Sequence, residues 1–145
     1  MHKHKKYLGQ NFLVDKNIID KILDRVSPLN SDSFLEIGPG EGAITQPLIN
    51  KISKLIVVEK DQALSIKLNV MFSKKTNITI INNDVLKIDL DKCINNQVRV
   101  IGNLPYNIAT EIIFFLLNSK NKIHDIHVML QKEMVDRICA PPGNK

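Results

Sequence analysis

Apolar positions along the chain follow two alternating patterns. Ile18, Ile19, Ile22, Leu23 and Val26 recur at helical spacing behind Asp15, a residue suited to an N-cap, and Pro28 with the polar stretch 30–33 ends that segment. A short, mostly apolar run follows, Phe34 to Ile37, predicted as a buried strand leading into Gly38-Pro39-Gly40-Glu41-Gly42. The pattern then predicts a helix from Ala43 to about Ile52 and a strand over Leu55–Glu59. Next come a helix from Asp61 to about Phe72, with Ala63, Leu64, Leu68 and Met71 on one face, and a third strand over Ile78–Ile81, ending near Asp84. Strands over Val98–Ile101 and Ile126–Leu130 flank a strongly apolar helix, Thr110–Leu117, whose residues 112–117 read as core. A short helix, Glu133–Cys139, comes last.

Strands therefore alternate with helices, and the strands are continuous apolar runs rather than alternating ones. That is expected when helices cover both sheet faces. The fold class predicted is α/β, a Rossmann-like doubly wound, mostly parallel sheet. Ligands of such sheets bind beyond the carboxyl ends of the strands. Gly38, Glu59, Asp84 and Asn103 each sit at or just after a predicted strand end, which marks that rim as the candidate site.

The loop after the first strand, with Gly38 and Gly40, has the spacing G-x-G-x-G rather than the dinucleotide G-x-G-x-x-G. A pyrophosphate there would face Glu36 and Glu41, whereas a ligand carrying sulfonium and ammonium groups would be attracted. Glu59 could accept both ribose hydroxyl protons, and Asp84 could accept from an adenine amino group. With no phosphate-binding lysine, the set fits S-adenosylmethionine better than NAD or a nucleoside triphosphate. Taken singly, each feature has a plainer reading: the glycines a tight turn, Glu59 a solvated strand end, and Asp84 a turn cap after Asn83.

Asn103-Leu104-Pro105-Tyr106 follows the fourth strand. The exocyclic amine of adenine is a poor nucleophile because its lone pair is delocalised into the ring. A side-chain oxygen from Asn103 and a carbonyl presented by the rigid Leu104–Pro105 step could bind both amine hydrogens, and Tyr106 could stack on an extruded base. Catalysis of that kind is chiefly positioning and electrostatics. The plainer reading is a strand-ending turn with a buried tyrosine.

Charge adds to this picture. The 145 residues carry a formal charge of +5, and the pI is near 9.2. Both suit a polyanionic partner. Lys3, Lys5 and Lys6 of the basic arm could meet RNA phosphates, or the arm could simply be solubilising. Cys93 and Cys139 match no metal or redox spacing and read as reduced thiols of a cytoplasmic protein. His124 and His127 straddle the expected strand start, so no metal is predicted. No apolar run approaches the roughly 20 residues of a membrane span, and the basic, polar N-terminus lacks an apolar signal core.

Several segments together resemble the small-subunit (16S) rRNA adenine dimethyltransferase family. They are Lys6–Leu13 (KYLGQNFL), Leu35–Thr45 (LEIGPGEGAIT), Val58–Asp61, Asn83–Leu86, Gly102–Ala109 (GNLPYNIA), Met129–Glu133 (MLQKE) and Arg137–Pro141. The resemblance implies the class I S-adenosylmethionine-dependent methyltransferase fold. It also implies transfer of methyl groups to N6 of two adjacent adenosines near the 3′ end of small-subunit rRNA. It further implies cofactor contacts at Asn11, Leu13, Gly38, Glu59, Asp84 and Asn103. Residues 1–14 would form a basic arm and cofactor-closing segment, and 15–145 the methyltransferase domain. Family members continue with further strands and a helical C-terminal domain, so the sheet is expected to be truncated before its last strands. The partner implied is small-subunit rRNA or a precursor subunit, met by a monomer. The alternatives are a large-subunit adenine methyltransferase of the macrolide-resistance type, which shares Q-N-F-L and E-I-G-x-G, and a catalytically impaired RNA-binding fragment. A dinucleotide oxidoreductase is a distant further reading.

Overall fold

The computed structural model describes residues 14–143. In chain order the elements are α1 (Lys16–Val26), β1 (Ser33–Ile37), α2 (Thr45–Ile49), β2 (Lys54–Glu59), α3 (Gln62–Met71), β3 (Ile78–Asn82), α4 (Leu90–Cys93), β4 (Val98–Asn103), α5 (Ala109–Asn118), β5 (Ile123–Met129) and α6 (Lys132–Ile138). Single 3-10 turns lie at Val85–Lys87 and Lys120–Lys122. The five strands form one sheet in the order β3-β2-β1-β4-β5, and every pairing is parallel. The order reverses at β1: the chain builds outward to β3, then returns to place β4 on the other side. A crevice opens at such a switch point, between the carboxyl ends of β1 and β4.

Alternate residues of each strand feed opposite faces. Leu35, Ile37, Ile56, Val58 and Val100 pack with Ile112 and Leu116 of α5 and with Val85, Leu90 and Ile94. Phe34, Leu55, Val57 and Ile101 pack on the other face with Ile19, Leu23 and Val26 of α1, Leu48 and Ile49 of α2, and Leu68 and Phe72 around α3. Asp15 caps α1 by accepting from the Asn17 amide at 2.9 Å, and Asp61 caps α3 by accepting from Leu64 at 3.1 Å. Asp15 also accepts from the Ile18 amide at 3.4 Å, so the two caps satisfy donors left unpaired at the helix starts.

Four expectations need correction. The helix predicted over 43–52 is only Thr45–Ile49. Gly40 and Gly42 hold positive φ, and the Asn77 side chain takes the carbonyls of Ile49 and Ile52, ending the helix early. β5 starts at Ile123, not Ile126. Its polar residues His124 and Asp125 mask the strand in sequence, but Asp125 pairs with Arg99 of β4, and a bulge at Val98/Arg99 absorbs the extra residue. His124 and His127 thus both lie within the strand. α5 is not uniformly core, since Phe114 and Leu117 are exposed whereas Ile112 and Leu116 are buried. On α3, Leu64 and Leu68 are buried but Ala63 and Met71 face outward. The four-residue α4, capped by Asp89, is too short to leave a periodic signal.

Arg99 explains how α1 is held on the sheet. Its guanidinium donates to both oxygens of Asp125 at 3.0 and 3.1 Å and to Asp32 at 2.9 Å. It also donates to the Val26 carbonyl at 2.6 Å, at the end of α1, and lies over the Phe34 ring at 5.0 Å. A cation at a helix C-terminus is favoured by the helix dipole as well as by these bonds.

Candidate active site

The parallel register sets the site. Ile37 pairs with Val58 on one side and with Gly102 on the other, and Glu59 pairs with Asn82. One residue further along β1 and β4 are Gly38 and Asn103, so Gly38, Glu59 and Asn103 share one rim at the switch point. A Cβ on Gly38 would lie 3.6 Å from the Asn103 carbonyl oxygen. Gly38 itself has φ +64, a conformation that L side chains rarely adopt. The strand ends therefore come together as the sequence predicts.

Glu59 is 2% exposed. One of its oxygens accepts from the Gly40 amide at 3.3 Å and the other from the Asp61 amide at 2.9 Å. Burial pushes its carboxyl above the ordinary value, while the two amides and that of Lys60 act the other way. Each oxygen keeps a second lone pair, so the carboxylate retains capacity for two further donors. The Gly40 amide, which in a phosphate-binding loop would point at an anion, is here committed to a carboxylate.

The expected repulsion of anions by Glu36 and Glu41 is only partly present. Glu41 is exposed and pairs with Lys67 at 3.1 Å. Glu36 is 1% exposed and accepts from the Thr45 hydroxyl at 2.6 Å. Burial, opposed by Thr45 and reinforced by Glu59, pushes its carboxyl up to about 7. Burial thus holds back the ionisation of both carboxyls beneath the loop, Glu36 and Glu59, and the negative potential there grows as pH rises.

Asp84 does act as a turn cap, accepting from the Leu86 amide at 3.0 Å. Its other oxygen faces Lys60 at 3.4 Å, with the carboxylate side chain 14% exposed. Capping leaves it at the rim beyond β3, on the far side of Glu59 from Asn103.

Asn103 is half-buried, Leu104 buried and Tyr106 49% exposed. Tyr106 is therefore not the buried tyrosine of a plain turn. The Pro105 carbonyl accepts from Ile108 at 3.2 Å and the Leu104 amide donates to Met129 at 3.3 Å. The carbonyl this step could present to a ligand is thus that of Leu104. Asn11, Leu13, Lys3, Lys5 and Lys6 lie outside the described residues.

Three contributors went unread in the sequence. Gly102 is one: a Cβ there would lie 2.6 Å from the Ile37 carbonyl oxygen, so only glycine lets β4 close on β1 at the crevice. A glycine inside a strand does signal close backbone approach. Arg99 is the second, since a charged residue in an apolar strand needs a partner. Thr45 closes the segment Leu35–Thr45, but its partner left no signal, because only the fold brings it to Glu36.

A family model, ribosomal RNA adenine dimethylase, matches residues 1–145. Ribosomal RNA small subunit methyltransferase A of Pseudomonas fluorescens is 47% identical over 144 residues, covering 98% of this chain and 53% of that protein. The protein of the same name from Leptothrix cholodnii is 43% identical over 147 residues, covering 99% and 53%. The chain thus spans about half the length of the curated relatives it matches. Among solved structures, a dimethyladenosine transferase from Plasmodium falciparum superposes with a TM-score of 0.81 at 26% identity, covering 92% of this chain and 48% of that one. The 23S rRNA methyltransferase ErmE superposes with a TM-score of 0.78 at 27% identity, covering 87% and 50%.

Proposed function

The chain belongs to the ribosomal RNA adenine dimethylase family, and from that premise we propose that it is the S-adenosylmethionine-binding portion of an enzyme that dimethylates N6 of two adjacent adenosines in small-subunit rRNA. The observation that carries the reading is the switch-point rim, where Gly38 and the Asn103 carbonyl lie side by side with the buried Glu59 carboxylate on the neighbouring strand. The donor set fits the cofactor: acidic and glycine-rich, with the loop amide of Gly40 turned to a carboxylate rather than left for phosphate.

Gly38, Gly40, Glu59, Asp84 and Asn103 would hold S-adenosylmethionine, with Glu59 accepting from ribose hydroxyls and Asp84 from the adenine amine. Asn11 and Leu13 would close over it. The bound cofactor supplies the methyl group as an electrophile. Asn103 and the Leu104 carbonyl accept from the two hydrogens of the target amine and so favour a more tetrahedral, more nucleophilic nitrogen. Pro105 fixes the direction of that carbonyl. Tyr106, half exposed, offers a ring on which the extruded base stacks. Lys3, Lys5 and Lys6 would add salt-dependent phosphate contacts. RNA in the small ribosomal subunit or its precursor is the partner and the cytoplasm the compartment. Among the described residues no helix is long and apolar enough to cross a membrane.

The large-subunit alternative rests on the fold shared with ErmE, at 27% identity. The relatives named for the small subunit lie well above that, at 43–47%. The test combines calorimetric binding of S-adenosylmethionine with transfer of labelled methyl groups to separated small- and large-subunit rRNA. We expect binding, and label in the small-subunit RNA when the full-length parent is used. A folded chain that fails to bind the cofactor, in a parent that also fails, would overturn the reading.

A further inference from the structure

Glu36 is the one charged residue in the otherwise apolar β1 run, and nothing in the proposed transfer uses it. It pairs in register with Val57 of β2. Side chains repeat every two residues on a strand face, so Glu59 stands on that same face, one repeat nearer the rim. The two carboxylates are diagonal neighbours, both essentially inaccessible to water. Of the elements packed around Glu36, α2 supplies the Thr45 hydroxyl, bonded at 2.6 Å. From β2 comes Glu59, which raises its carboxyl pKa, and behind Glu59 stands Asp61 at the start of α3. β4 contributes the apolar Ile101 in register. The charge pair made by the loop, Glu41 with Lys67, is exposed. No cation among these neutralises Glu36.

We propose that the Glu36–Thr45 pair sets the charge beneath the cofactor cleft, so that ionised Glu36, held by Thr45, favours the cationic methyl donor over its neutral demethylated product. The inference rests on the cofactor reading above. S-Adenosylmethionine and S-adenosylhomocysteine share the adenosine and amino-acid ends and differ by one methyl and one positive charge at sulfur. A buried carboxylate acts on that difference through low-dielectric surroundings, where charges separated by several ångströms still interact appreciably. Thr45 is a positioning residue: its hydroxyl holds the carboxylate and favours the ionised form, while burial and Glu59 oppose ionisation. Because burial brings the Glu36 transition up to about 7, the preference for donor over product switches on as pH rises through neutrality.

The test is the ratio of dissociation constants, S-adenosylhomocysteine over S-adenosylmethionine, measured by calorimetry on this chain between about pH 6 and pH 8.5. The amino group both ligands carry loses its proton at lower pH beside the sulfonium than without it, so the ratio is read against Glu36→Gln, in which that ligand difference is unchanged. Relative to that variant the wild-type ratio should rise about three- to tenfold across the range. Thr45→Val should move the rise to higher pH and Thr45→Ser should restore it. If both ligands bind and the wild-type ratio follows that of Glu36→Gln at every pH, this inference fails and the cofactor reading stands. Equal shifts in the Val and Ser variants would remove the role of Thr45. Were neither ligand bound by the folded chain or by its full-length parent, the cofactor reading and this inference would fall together.

Discussion

The backbone amide of Gly40 donates to the buried carboxylate of Glu59 across 3.3 Å, tying the loop after β1 to the end of β2. That single contact joins the two features that set the ligand class, a glycine loop and a strand-end carboxylate. Glu59→Gln keeps the shape and leaves an oxygen for one amide, but removes the charge that strengthens bonds to hydroxyl donors. We expect the fold to persist and S-adenosylmethionine affinity to fall about tenfold or more. Unchanged affinity in calorimetry would show that Glu59 does not reach the ligand.

Gly102→Ala places a methyl where the Ile37 carbonyl oxygen stands, at 2.6 Å, with Leu104 Cδ2 at 3.3 Å. β4 must move away from β1 at the crevice itself. Overpacking of this kind should cost about 1–3 kcal/mol in urea unfolding. Asn103 follows Gly102 directly, so methyl transfer by the parent should fall more than cofactor affinity does.

Tyr106 is 49% exposed, so Tyr106→Ala should leave the unfolding midpoint nearly unchanged. If the ring stacks on the target base, transfer should drop by about tenfold or more, because a base–aromatic stack contributes about 1–3 kcal/mol. Tyr106→Phe should recover most of it. Recovery by Leu as complete as by Phe would argue against stacking.

Arg99→Met removes the donor from Asp125, Asp32 and the Val26 carbonyl at once. Two carboxylates then remain partly buried beside the end of α1. A loss on the order of 3 kcal/mol follows. Asp125 is held below the ordinary carboxylate range: its partial burial works the other way but is outweighed by bonds from Arg99 and His127. A depressed carboxylate contributes stability that is present above its unfolded pKa and lost as pH falls through its folded one. The gap between variant and wild type should therefore be constant from about pH 8 to pH 5 and narrow below about pH 4.

Glu36 behaves oppositely. Its folded value, about 7, lies above the unfolded one, so between the two the native state holds a proton that the unfolded chain has released. Stability should then decline as pH rises from about 4.5 toward 7 and level off above it. Glu36→Gln, which keeps an acceptor for Thr45, should be the more stable protein above pH 7, by a few kcal/mol at most. The two proteins should converge in acid. Parallel pH–stability curves for both would contradict the burial argument.

Much of this protein is legible in the order of its residues. Continuous apolar runs such as Leu55–Val58 fixed buried parallel strands, because only a sheet covered on both faces hides every side chain of a run. The placement of Gly38, Glu59, Asp84 and Asn103 at strand ends marks the rim by itself. Local chemistry sufficed for the cap at Asp15. Beyond its reach lay whatever depended on residues distant in sequence. Asp125 reads as a loop residue until Arg99 meets it, and that partner extends β5 by three residues. Glu36 and Glu41 read alike as carboxylates facing a ligand at the glycine loop, yet packing buries one against Thr45 and leaves the other paired in solvent. The strand order, which brings Gly102 within touching distance of Ile37, follows from how the sheet closes. Period and composition are properties of neighbouring residues and so are written in the sequence. Desolvation, close backbone approach and the partner of a buried charge depend on what the fold brings alongside, and only the tertiary structure decides them.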